Sequence, residues 1–323
     1  MVLLGCVTLL SACGGHSNKA RSNSTSVQQV TLTKPAFDMD TAFMYVAEQV
    51  RFGARIPASK AHQQCANYLE KILTNYADQV ITQPFTSKLW DGSTARGVNV
   101  IGSFNPTAER RIVLAAHWDS RATADRDLNA DNHRKPLLGA NDGASGVGVL
   151  LEVARQLSLN KTDVGVDIIL FDLEDQGTPE YVNQDNMNSW CLGAQYWAAN
   201  LHRPGYKANY GILLDMVGCY NPCFTKEATS QRLAPDIQNN VWQRAQELGF
   251  SYCFKNTLTS GVLDDHYFVN TIAGIPMIDL IQYDPTTPSH FFPQWHTMED
   301  DLQHVDKQTL QIVGQVLLSL IYS

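Results

Sequence analysis

The stretch Phe171-Asp172-Leu173-Glu174-Asp175-Gln176-Gly177 sets three acids within four residues, directly after the apolar run VDIIL. A run of that kind reads as a buried strand. Two adjacent carboxylates at its exit repel each other and raise one pKa unless a cation lies close by. Four other segments bring a carboxylate or an imidazole to a comparable place. His117 follows RIVLAA, Asp215 follows GILL, Asp142 stands in GANDG before a helical pattern, and His296 lies in a loop after the last apolar run. Zinc accepts Asp, Glu and His ligands, and in catalytic sites it keeps three protein ligands and one open position. Two neighbouring acids can then divide the work, one binding the metal and the other standing beside the open position as a general base.

Each residue also has an ordinary reading. Asp142 fits an N-cap for the following helix, Asp215 a hydrogen-bond acceptor at a strand end, and His296 a satisfied loop histidine. The convergence of five segments on one rim favours a site. His16, His62, His133, His202, His290 and His304 lack such a carboxylate context and receive no role. Competing chemistries fail on spacing. Ser145 in GASGV lacks the glycine two residues beyond the nucleophile that a serine-hydrolase elbow needs. GASGVG has the wrong glycine order for a dinucleotide fingerprint, and there is no Walker loop.

Elements able to aim these groups are legible. Helical patterns over 39–52 and 58–76 precede apolar, β-branched runs at 98–103, 111–116, 166–171, 211–215 and 275–281. Further helical patterns fall at 146–157, 192–201, 235–248 and 305–321. Strands alternating with helices predict an α/β fold, a single globular domain over 36–323 with a central mixed, mostly parallel β-sheet flanked by helices. Ligands of such sheets bind beyond the carboxyl ends of the strands, where the acids and histidines collect. A chain of 323 residues, 44% hydrophobic and 17% charged, can bury the large core this requires. Its net charge of −8 argues against a phosphate-binding surface and removes nucleic acid as a main partner.

The first residues, MVLLGCVTLLSACGG, form an apolar segment too short to span a bilayer as a helix and ending in small residues, in the manner of a secretory signal. Leu10-Ser11-Ala12-Cys13 resembles the lipobox of bacterial lipoproteins. The expectation is a signal segment over 1–13, a flexible polar tether over 14–35, and an exported periplasmic or outer-membrane lipoprotein that meets the membrane through its lipid anchor only. Five cysteines remain in the body: Cys65, Cys191, Cys219, Cys223 and Cys253. An odd number cannot all pair with one another. One or two disulfides suit an exported protein, and Cys219 and Cys223 are close enough in sequence to close a small loop.

HWDSR, GANDGASGVGVLLEVAR, ILFDLEDQG, LLDMVG, LDDHYF and WHTMEDD occur in the order and context of the zinc aminopeptidase superfamily. They most resemble its animal-type glutaminyl cyclase branch, with a bacterial lipoprotein member in view. The resemblance runs from about residue 40 to 320 and implies the zinc aminopeptidase-like fold. The aminopeptidases of this scaffold hold two zinc ions, and all five positions are filled here: His117 and Asp215 for one ion, Asp175 and His296 for the other, Asp142 bridging. The cyclases keep those residues yet bind one zinc through the equivalents of Asp142, Asp175 and His296, so the ligand inventory leaves both open, with His117 marking a possible second metal. Three features lean toward the cyclase: the pair Asp264-Asp265 before His266, Trp295 directly before His296, and the insertion EYVNQDNMNSW, which could bring Trp190 over the pocket. The resemblance then implies Glu174 as general base and acid, Asp264 and Asp215 holding it, and Trp295 and Trp190 shaping the substrate pocket. Peptides or proteins with an N-terminal glutamine would be converted to pyroglutamate with release of ammonia. The alternative is a di-zinc aminopeptidase. Where both branches commonly have Glu-Glu, this chain has Glu174-Asp175, and the shorter second side chain must still reach the metal.

Overall fold

The apolar runs form strands because both faces of their sheet are covered. The computed structural model describes residues 35–183 and 186–323. The expected signal segment and all but the last residue of the expected tether lie outside the described residues. Strand β1 spans Gln79–Lys88, β2 Thr94–Phe104, β3 Arg111–His117, β4 Gly165–Phe171, β5 Tyr210–Asp215 and β8 Met277–Ile281. These six make one sheet in the order β1-β2-β4-β3-β5-β8. The β1–β2 and β2–β4 pairs are antiparallel, and β3 pairs in parallel with β4 and β5, as does β5 with β8. The sheet is therefore mixed with a parallel centre, as the alternation of elements predicts.

Alternation along the central strands sorts their side chains to the two faces. Ile112, Leu114 and Ala116 of β3, with Val166, Ile168 and Leu170 of β4, join the larger core. That core is shared with α1 (Met39–Arg51), α2 (Lys60–Tyr76), α3 (Ala144–Leu159), α6 (Pro235–Glu247) and α8 (Lys307–Ile321). Val113, Ala115, Ile169 and Phe171 point the other way, onto α4 (Leu192–Ala199) and Phe268 of α7 (Asp265–Phe268). Caps fix where the helices begin: the Asp38 carboxylate accepts from Asp40 N–H and Thr41 N–H, Ser59 from His62 N–H, and Asp306 from Gln308 N–H and Thr309 N–H. Among the described residues no helix is long and apolar enough to cross a membrane.

A small parallel pair, β6 (Phe224–Glu227) and β7 (Phe254–Thr259), is an addition that the apolar runs do not announce. Glu227 ends β6 and caps α5 (Ala228–Leu233), accepting from Ser230 N–H and Thr229 N–H as well as from Val262 N–H. Despite burial, which pushes the other way, His266 and these N–H groups hold its carboxyl down to about 2. A depressed folded-state pKa stabilises above the unfolded value of about 4.5 and is lost as the pH falls toward 2. Glu227→Gln is accordingly expected to cost about 3 kcal/mol near neutrality and to flatten the acid limb between pH 4.5 and 2. Urea unfolding of both proteins across that range checks it, and parallel pH curves would refute it.

The disulfide expectation is overturned: all five cysteines of the body are free. Cys219 and Cys223 are drawn to different partners. Cys219 bridges to Val305 and packs with Met216, Ile281 and Phe292, whereas Cys223 N–H donates to Gln282 Oε1 and its carbonyl accepts from Tyr283 N–H.

Candidate active site

The carboxyl ends of the parallel strands deliver His117, Glu174, Asp175 and Asp215 to one rim, as their positions in sequence predict. Asp142 reaches it from the turn before α3, and His296 from the loop after β8. Glu174, Asp175, Asp142, Asp215, Asp264, Trp190, Trp295 and His296 line one cavity of about 380 Å³. A larger cleft of about 660 Å³ between α2 and the β1–β2 hairpin contains no such convergence. His62 on its wall has a carboxylate partner after all, in Asp172. Asp172, first of the three clustered acids, turns away from the cavity. It binds His62 Nε2 at 2.9 Å and accepts from Val98 N–H at 2.7 Å, joining α2 and β2 to the end of β4.

Local backbone geometry aims the rest. Leu173, Cys191, Met216 and His296 all have positive φ, between 49° and 58°. For residues other than glycine this is a strained conformation that persists where the surroundings impose it. Gly143 has φ 99°, and a side chain there would lie 2.5 Å from Asp119 O and 3.0 Å from His117 Cε1, so the turn that presents Asp142 needs glycine. Gly143 is itself the N-cap of α3 and has no side-chain bond to offer, which corrects the capping role considered for Asp142. At Gly177 an added methyl group would overlap the Trp190 indole, so the glycine ending LEDQG lets that ring close over the cavity.

Two groups of ligand-type side chains meet across Asp142: His117 with Asp215, and Asp175 with His296. Their spacings differ. His117 Nε2 lies 3.1 Å from both Asp142 Oδ1 and Asp215 Oδ1, which is hydrogen-bond length. His296 Nε2 lies 3.4 Å from Asp175 Oδ1 and 3.6 Å from Asp142 Oδ2. Two ligands of a tetrahedral zinc with bonds near 2.0–2.1 Å sit roughly 3.4 Å apart. Asp175 Oδ2 is buried without a hydrogen-bond partner. Asp142, Asp175 and His296 therefore fit a small divalent cation, and the shorter side chain of Asp175 suffices to reach it.

The charges agree. Burial and the neighbouring Asp175 push Asp142 up to about 7, and burial pushes Asp175 up to about 7 against the pull of Arg121. Burial raises Glu174 well above the usual carboxylate range, reinforced by Asp264 and Asp175 although His117 opposes it. Burial and then Asp215 lift Asp264 to about 6. Such a surplus of buried acid suits a bound cation. Burial, followed by Arg121, holds His296 well below its ordinary value, in the neutral form that binds metal. For His117 burial acts downward, but the neighbouring carboxylates of Asp119, Asp142 and Asp215 outweigh it and raise the imidazole well above its ordinary value.

Several supporting residues escape sequence reasoning. Asp119 accepts the N–H groups of Glu174 and Asp175 at 3.0 and 3.2 Å and fixes their loop. Asp300 accepts from Asn141 N–H and Asp142 N–H at 2.7 and 3.0 Å. Arg121 forks onto Asp125 and donates to Asp175 Oδ1 at 3.1 Å, while Asp125 Oδ1 lies 3.5 Å behind His296 Nδ1. For Asp119, Arg121 and Asp300 the signal available was their place inside HWDSR and WHTMEDD, beside residues singled out for chemistry; Asp125 lies outside both.

Residues 99–321, which carry every ligand-type side chain of this cavity, match peptidase family M28. The chain belongs to that family. Among relatives of this M28 protein, the glutaminyl-peptide cyclotransferase of Gloydius blomhoffii is 28% identical over 250 residues, or 68% of this chain. The chain spans 63% of that relative's own length. A crystal structure of Bacteroides thetaiotaomicron glutaminyl cyclase bound to N-acetylhistamine is 46% identical, with a TM-score of 0.88 over 90% of this chain and 99% of that one. A Zn-dependent exopeptidase from Parabacteroides distasonis is 45% identical, with a TM-score of 0.89 over 90% and 100%. The M28 chain thus has the zinc exopeptidase fold and is similar to glutaminyl cyclases and exopeptidases alike.

Proposed function

We propose that this M28 protein is a zinc-assisted glutaminyl-peptide cyclotransferase, forming pyroglutamate from the N-terminal glutamine of peptides or proteins. The observation that carries the reading is the contrast in spacing. Asp142, Asp175 and His296 stand apart as ligands of a single cation do, whereas His117 Nε2 is engaged in a hydrogen bond with Asp215 and lies 3.1 Å from Asp142. The similarity to glutaminyl cyclases supports it as well.

Zinc held by Asp142, Asp175 and His296 would supply Lewis-acid polarisation of the substrate's side-chain amide. Glu174, lining the same cavity, takes the proton that the substrate's α-amine loses as it attacks the amide carbon. The new C–N bond closes the five-membered ring, the old one breaks, and Glu174 returns the proton to the departing ammonia. No water is consumed. Asp264 borders Glu174 and raises its proton affinity, with Asp215 on the same cavity wall. Trp295 and Trp190 wall the cavity, confining the flexible glutamine side chain so that amine and amide carbon meet. Each indole is fixed from behind by a guanidinium, Arg126 at 4.2 Å from Trp295 and Arg121 at 4.7 Å from Trp190.

The proximity of His117, Asp142 and Asp215 favours a second reading, a two-zinc aminopeptidase in which Glu174 activates water. Mass spectrometry of a glutamine-initiated peptide separates the two. The expected product has lost ammonia alone, and the purified protein holds about one zinc per chain. A peptide shortened by its first residue, with about two zinc ions per chain, would overturn the cyclase reading.

A further inference from the structure

Cys191 stands opposite Glu174 in a way that its place in the chain does not announce. It is fully buried, and its thiol Sγ lies 3.3 Å from Glu174 Oε1. The backbone repeats the connection: Cys191 N–H donates to the Glu174 carbonyl at 2.9 Å, and Leu192 N–H to the Leu173 carbonyl at 3.1 Å. Cys191 is also the N-cap of α4, yet makes no side-chain bond to that helix, so its thiol is free to point at the acid. The same residue has φ 56°, a left-handed conformation in which glycine would be relaxed. A side chain is kept there nonetheless. Asp264 completes the group, its ligand-type atoms and those of Glu174 and Cys191 lying within 4.8 Å of one another.

We propose that Cys191 is a positioning residue whose thiol donates a hydrogen bond to Glu174 Oε1 and holds the carboxylate in the orientation that faces the cavity. The inference rests on Glu174 being the base of the proposed reaction. Asp142, Asp175, Asp215 and Asp264 line the cavity with Glu174, and their repulsion alone would swing its carboxylate away from the working position. A neutral donor opposes this without neutralising the charge that proton transfer needs. A lysine or arginine in its place would pair with Glu174 and lower its basicity. Burial and the adjoining carboxylates raise the thiol well above its ordinary value, so it keeps its proton and serves as donor, not nucleophile.

Serine and alanine at 191 both retain a Cβ and so leave the left-handed backbone equally strained, while only serine retains a donor. With zinc-loaded, full-length protein and a glutamine-initiated peptide, Cys191→Ala is expected to lower kcat about tenfold with KM within about twofold, whereas Cys191→Ser stays within about threefold of the parent. A purely structural cysteine would give equal losses in both variants. Equal losses, or an alanine variant with full kcat, overturn the proposal. Infrared spectroscopy supplies a readout that needs no turnover: the difference between parent and Glu174→Gln should contain a hydrogen-bonded S–H band that Cys191→Ser removes. Absence of that band refutes the thiol contact. A parent protein that fails to cyclise the peptide but shows the band refutes the cyclase reading and leaves the contact standing.

Discussion

Glu174→Gln is expected to reduce turnover about a thousandfold or more while leaving bound zinc and thermal stability in place. The substitution keeps the volume and removes the group proposed to take a proton from the substrate amine and return it to the leaving nitrogen. Glu174 is not among the three side chains spaced as ligands, so metal content should not change. Its backbone stays held by the Asp119 carboxylate at 3.0 Å. Because burial already pushes this acid far up, a neutral amide in its place relieves repulsion with Asp264 and Asp175, and Tm should stay within about 2 °C of the parent or rise. Elemental analysis, calorimetry and product mass spectrometry on one preparation decide the matter. A fully active variant would remove Glu174 from the reaction, and a variant depleted of zinc would make it a ligand.

Arg121→Met is expected to lower Tm by about 10 °C and to weaken zinc binding by about ten- to a hundredfold. Arg121 is buried and serves two buried acids at once. It forks onto Asp125 at 2.8 and 2.6 Å, and it donates to Asp175 through both the side chain and the carbonyl. Removing one partner of a buried pair leaves uncompensated charge and costs about 3–5 kcal/mol. The loss reaches the metal because Asp125 stands behind His296 and Asp175 stands beside it, so two of the three proposed ligands lose their orientation together. Methionine retains most of the side-chain volume, which separates charge from packing. Unfolding with and without added zinc, together with competition against a chelator, measures both effects. Unchanged stability would mean that Asp125 and Asp175 are held by other groups.

How much was legible follows from where each residue gets its environment. The central strands could be read because both faces are buried, leaving β3 and β4 as runs that are apolar but for Asp167 and the terminal Arg111 and His117. β1 was missed, since on the edge of the sheet its side chains are mostly exposed and Pro84 interrupts it. β7, FKNTLT, is polar and largely exposed for the same reason. Ligand-type residues were legible because the end of a buried strand is an unusual place for an acid. The groups that hold them were not, because their roles arise only when distant segments meet: Asp300 lies 158 residues from the Asp142 N–H that it accepts. Likewise, adjacency in sequence suggested a shared purpose for Asp172, Glu174 and Asp175, but the left-handed turn at Leu173 sends the first of them behind the sheet edge to His62. The nearness of Cys219 and Cys223 misled in the same way.

The left-handed residues Leu173, Cys191, Met216 and His296, each costing about 1–3 kcal/mol, give the cavity the character of a lock cut in advance. The outlay is met during folding by the sheet and its two cores, so an arriving molecule finds the carboxylates and imidazoles already at their stations and need not organise them. Selectivity in such a cavity comes from refusing shapes that do not fit, since little in its walls can yield to admit them.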